Sequence, residues 1–187
     1  MSEAAGGGAH VSPNGYLSGV RRSLLAGPEG HPFHALLVTV PVGAFASSLI
    51  FDILTHTRAH GLPYLVDGAW WLIYVGLGSA LIDAVFGLVD YFMIPRGTPA
   101  ATTARGHVIL NAAMFVIFTI DFVWRAGDHL DQDKTRWGQL ALSAVAVALL
   151  GAACWFGGKL TYHYGVRVTP MDQPGEPPTT ETNAIIG

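Results

Sequence analysis

Four long apolar runs, at 35–55, 69–94, 107–125 and 138–160, leave this chain few folds to choose from. Each comes near the ~20 residues a helix needs to cross a hydrocarbon core of about 30 Å, and soluble core helices are rarely so long and so apolar. The composition agrees. Of 187 residues, 51% are hydrophobic and only 12% charged, with a mean hydropathy of +0.41. The runs are unbroken, whereas barrel strands alternate apolar with polar residues, so the expectation is an all-α integral membrane bundle of four transmembrane helices with flexible termini. Residues 30–168 form this domain, which leaves no room for an additional catalytic domain. Chemistry would belong to the bundle or to a partner, and no catalytic residue stands out.

The flanking segments read differently. Residues 1–29 contain Gly6, Gly7, Gly8, Pro13, Gly15, Pro28 and other chain breakers, the mark of a flexible segment, although Tyr16 to Leu25 could form a short surface helix. Arg21 and Arg22 ahead of Leu24 and Leu25 bring a twin-arginine export signal to mind, but no small-residue cleavage site follows, and flanking charge is the preferred reading. Residues 169–187, rich in Pro, Thr and Glu, should be a disordered tail. A net charge of -3 without a basic stripe gives no reason to expect nucleic acid. The lone Cys154 lies inside the fourth run, which excludes an intrachain disulfide and suits a packing role.

Orientation follows from Lys and Arg near the span ends. Arg21, Arg22, Arg96, Arg105, Lys159 and Arg167 flank one face, and Arg58, Arg125, Lys134 and Arg136 the other. The bias places both termini in the cytoplasm and the protein in the cytoplasmic membrane.

Polar residues within the spans carry the functional argument. With alternating spans, His31, His34, His107 and His163 come out near one membrane face. Pro32 suits the first turn of the first helix, with His31 at its cap and His34 one turn on, and Pro41 should kink that helix. Asp52, eighteen residues after His34, shares its face five turns away at the other end of the span. In the second span Gly76, Ala80, Asp83, Gly87 and Asp90 recur at spacings of four and three, a small-residue stripe that should face the bundle. An exposed carboxylate at the depth of Asp83 would cost about 2.5–3.5 kcal/mol, so it implies a partner, a cavity or a proton. His107, Asn111, Met114, Phe118 and Asp121 form a similar stripe on the third span. The fourth offers Gly151, Trp155, Gly158 and Lys159, with Gly157 and Gly158 suggesting close helix contact. Trp155, Tyr162 and Tyr164, with Trp70, Trp71 and Tyr91, suit interfacial aromatic belts.

Three roles are open to the histidines: axial ligands of haem b between helices, ligands of a transition metal such as zinc or copper, or interface residues bonded to loops and headgroups. His34 and His107 lead as cofactor ligands, followed by His31 and His163. The metal reading takes His34 and His107 with Asp90. Asp83, Asp90, Asn111 and Asp52 form the candidate polar or proton-handling network. His56 and His60, beside His129 on the opposite face, are a weaker metal candidate.

Taken in order, Gly30-His31-Pro32-Phe33-His34-Ala35-Leu36-Leu37-Val38 with Pro41, then Gly87-Leu88-Val89-Asp90, Arg105-Gly106-His107 with Asn111, and Trp155-Phe156-Gly157-Gly158 through Tyr162 and Gly165-Val166 resemble the bacterial membrane family catalogued as domain of unknown function 2231. The resemblance covers residues 30–168. The chain departs from the family in carrying Ala35 where a second proline is usual. Some relatives are joined to Rieske-type iron–sulfur domains, which implies an electron-transfer setting. With a single cysteine here, an iron–sulfur partner would be a separate polypeptide.

Two functional classes follow. One is an accessory or structural membrane subunit that packs through its glycine stripes against itself or another protein. The other is a haem- or metal-binding membrane redox subunit with a separate redox partner. A small proton-coupled transporter working through Asp83 ranks third, since no repeats or paired broken helices are apparent in the sequence.

Overall fold

The computed structural model describes residues 33–166, all of whose regular structure is helical. His31, Pro32, the twin-arginine region and the tail after Val166 lie outside the described residues. The first span is broken in two, α1 (Phe33–Leu37) and α2 (Thr39–Thr55), followed by α3 (Pro63–Met93), α4 (Pro99–Arg125) and α5 (Trp137–Tyr162). All four spans are long and apolar enough to cross a membrane. The break falls where Pro41 predicts it. Proline has no N–H to give Leu37, four residues back, so the helix loosens there, while Val42 still bonds to the Val38 carbonyl at 3.2 Å.

Helix starts are set by proline and threonine. Pro63 and Pro99 occupy first-turn positions, and Thr98 caps α4 by accepting from the Ala101 N–H at 3.1 Å. Both helices therefore begin earlier than their apolar runs, and His107 stands more than two turns inside α4 rather than at its mouth. Gly61, at φ +74°, turns the α2–α3 loop against the Asp133 carbonyl, where a side chain would collide, and Leu62 N–H bonds that carbonyl at 2.8 Å.

The helices run up and down as two hairpins, α1/α2 with α3 and α4 with α5. A core joins them around Phe45, Ile73, Met114, Phe118, Ala146 and Leu150. Phe45 and Phe118 stack across its centre, with ring centroids 4.0 Å apart and planes 10° from parallel. Gly76 makes the space, since a Cβ there would come within 2.5 Å of the Phe45 ring. Lipid provides little hydrophobic drive between helices, so close packing of this kind carries much of the association.

The hairpins repeat one another. His107 follows His34, Phe118 follows Phe45 and Arg125 follows Asp52, each by 73 positions. The return helices match at a spacing three residues shorter, pairing Gly76 with Ala146, Asp83 with Ala153, Phe86 with Phe156 and Gly87 with Gly157. The matches keep residue type at His34/His107, Phe45/Phe118, Phe86/Phe156 and Gly87/Gly157 and change it at Asp52/Arg125, Gly76/Ala146 and Asp83/Ala153, and they are too widely spaced to stand out as a repeat in the sequence.

Candidate functional site: a facing histidine pair

Below the α1–α2 break, His34 reaches across to α3, where its Nδ1 and Asp83 Oδ1 lie 2.8 Å apart. Asp83 is almost fully buried and His34 about a quarter exposed. The ring rests on Gly87, where a Cβ would stand 3.1 Å from His34 Cε1. The second hairpin repeats this arrangement. His107 Nδ1 lies 2.8 Å from the Ala153 carbonyl of α5, and the His107 ring rests on Gly157, where a Cβ would again stand 3.1 Å from its Cε1. A carbonyl only accepts, so His107 Nδ1 carries the proton and Nε2 offers its lone pair, which meets the Asn111 amide at 3.2 Å. The Asn111 amide also donates to the His107 carbonyl at 2.9 Å.

These contacts bring the two imidazoles face to edge, with centroids 6.2 Å apart and planes 83° from parallel. Two cavities of about 330 and 360 Å³ share His34, His107, Val38, Val42, Gly87 and Asn111 as walls. Asp90 and Cys154 line the first, and Asp83 the second. Such volumes suit small-molecule sites, and these walls are mainly apolar.

His163 is not brought to the pair. It follows α5 as an exposed residue whose ring meets Tyr164 at 4.7 Å. His31 lies outside the described residues. Among the described residues no set of three or more His, Cys, Asp or Glu side chains is placed to hold a metal ion, so His34, His107 and Asp90 do not assemble as a three-ligand centre. His56 instead stacks on Trp137, and His129 on Trp70.

Asp52 belongs to a separate site at the far end of the bundle. Arg125 grips it with both terminal nitrogens, Nη1 to Oδ1 at 2.7 Å and Nη2 to Oδ2 at 2.8 Å. Nη2 also reaches Asp121 Oδ2 at 2.8 Å, and the hydroxyls of Thr135 and Ser143 donate to Asp52. Asp52, Asp121, Arg125 and Ser143 are 0% exposed. The sequence reading counted Arg125 as an interfacial charge; it is a buried counter-ion tying α2, α4 and α5 together. Its eighteen-residue distance from His107, matching that of Asp52 from His34, was the available signal.

Two glycine readings also change. Gly87 faces the bundle as its stripe predicts, but it seats an imidazole and not a helix backbone. On α5, Gly157 makes a close contact with the His107 ring, whereas a Cβ at Gly158 would meet only Tyr162 of its own helix; Trp155 is 77% exposed, and the inward face is Ser143, Ala146, Leu150, Ala153 and Leu160. Cys154 is exposed on that helix.

The chain belongs to the family described as predicted membrane protein (DUF2231), whose model matches residues 30–170. No curated protein and no solved structure gives a significant match. This is a predicted membrane protein with four helices long and apolar enough to cross a membrane among the described residues.

Proposed function

We propose that this protein is a membrane redox subunit that holds one haem b between its two hairpins through His34 and His107. The observation that carries the reading is the facing pair itself. Two imidazoles on different spans turn toward a shared apolar cavity, each fixed through Nδ1 by an acceptor on the neighbouring helix. Ligating histidines are commonly oriented in this way, with Nδ1 tied down so that Nε2 is left for the metal; at His107 the Asn111 amide that meets Nε2 at 3.2 Å would have to turn aside for the metal to take its place.

The number of ligands favours haem over a bare metal ion. Zinc takes four ligands, at least three of them from protein, whereas a porphyrin supplies four nitrogens and asks only for axial groups. One cysteine rules out the C-x-x-C-H attachment of c-type haem, leaving a non-covalent b-type group. Bound there, the haem would supply one-electron transfer. His34 and His107 would hold it, Gly87 and Gly157 would keep the rings in place, and the apolar walls would exclude water.

The test is haemin titration of the detergent-purified full chain and of His34→Ala, His107→Ala and His163→Ala variants. The reading expects one haem per chain with a low-spin spectrum in the wild type and the His163 variant, and loss of that spectrum in the other two. Retention of the low-spin spectrum in both the His34 and His107 variants would refute it.

A further inference from the structure

The two halves of the histidine site share their glycine and aromatic contacts, although His107 alone has an amide beside its ring, that of Asn111, whose matched position is Val38. His34 rests on Gly87 as His107 rests on Gly157, at the same 3.1 Å. Beside them Phe33 packs on Phe86, and at the matching place Gly106 lies against Phe156. Three self-matched pairs face one another between the hairpins: His34 with His107, Phe45 with Phe118, and Asp52 with Arg125. At 1.5 Å of rise per residue these layers fall roughly 16 and 10 Å apart, so the line through them runs the length of the bundle. Parallel repeats in membrane proteins are related in this way, about an axis along the membrane normal.

Against that equivalence the acceptors of the two rings differ. His107 Nδ1 donates to a neutral backbone carbonyl, that of Ala153, while His34 Nδ1 meets the carboxylate of the matching residue, Asp83. A carboxylate draws the ring proton further and makes the opposite nitrogen a stronger electron donor. A haem held by His34 and His107 would carry one more positive charge oxidised than reduced. A buried negative group beside the ligand therefore favours the oxidised form.

We propose that His34 and His107 are equivalent ligands on the pseudo-two-fold axis of a duplicated helical hairpin, and that Asp83 makes His34 the stronger donor and lowers the reduction potential of the bound haem. Asp83 is a positioning and tuning residue, since it acts through His34. The inference rests on the haem reading of the preceding section.

The experiment is a dithionite titration, followed by absorption, of the haemin-loaded full chain as wild type, Asp83→Asn and Asp83→Ala, with His34→Ala and His107→Ala alongside. Asparagine keeps an acceptor but removes the charge; alanine removes both and leaves the situation of Ala153. The midpoint potential should rise from wild type to Asn to Ala, and the two histidine variants should both lose the low-spin spectrum. If the Ala variant does not fold, the upward shift in Asn decides alone. An unchanged or lowered potential in the Asn variant overturns the role of Asp83. Loss of the low-spin spectrum in only one histidine variant overturns the equivalence. A wild type that takes up no haem fails at the earlier step, and both readings fall together.

Discussion

Arg125 shows how far a residue's position can mislead about its role. A basic residue at the last position of a span normally anchors it at the interface, yet this side chain is 0% exposed and shares its charge with Asp52 and Asp121. Removing one partner of such a pair strands the other, which costs about 3–5 kcal/mol. Arg125→Met should therefore lower the unfolding free energy in mixed micelles by about that amount. Asp52→Asn should cost more than Asp121→Asn. Asp52 accepts from Arg125 twice and from Thr135 and Ser143, whereas the contacts of Asp121 are to Arg125 and Ser143. Equal losses in the two carboxylate variants would contradict that ranking. The histidine site was more legible, because His34, Asp83, His107 and Asn111 are polar residues in apolar runs and stand out by type. The Ala153 carbonyl does not, since a backbone acceptor leaves no mark in the sequence.

The glycines gain their meaning only at the scale of paired elements. A four-three stripe on α3 predicted an inward face, and Gly76, Asp83 and Gly87 lie on it, but spacing alone does not say what a glycine makes room for. Gly76 admits a phenyl ring, Gly87 and Gly157 admit imidazoles, and a Cβ at Gly78 or Gly151 would meet nothing within 4 Å. Gly87→Leu and Gly157→Leu should displace the rings and lower haem affinity at least tenfold in haemin titration. Gly78→Leu and Gly151→Leu, on open surface, should leave it unchanged. On α5 the inner face was not legible because it is built of Ser, Ala and Leu with weak periodic contrast. Helix starts at Pro63 and Pro99 extend beyond the apolar runs because hydropathy registers where lipid contact begins and proline registers where helical geometry begins.

For the whole molecule, the four spans and their order were written in run length alone, and the internal repeat was hidden because its identical pairs are few and far apart and others change type. Asp52 opposite Arg125 and Asp83 opposite Ala153 share a place without sharing a type. The burial of Arg125 also alters the charge balance behind the orientation, removing one of the four cations from the weaker face. Cytoplasmic termini are the expected arrangement. In a Cys154→Ala background, a cysteine at Asp131 in the exposed α4–α5 loop should react with an impermeant maleimide in intact cells, and one at Gly97 in the α3–α4 turn only after lysis; the reverse pattern would invert the topology. The most direct test of the account is the reduced-minus-oxidised absorption spectrum of protein purified from cells with ample haem supply, with haem and metal quantified on the same sample. One haem per chain, with the sharp reduced bands of a six-coordinate low-spin b-type centre, is the predicted result. Protein that is folded and monodisperse but carries no haem, and takes none up from haemin, would contradict it.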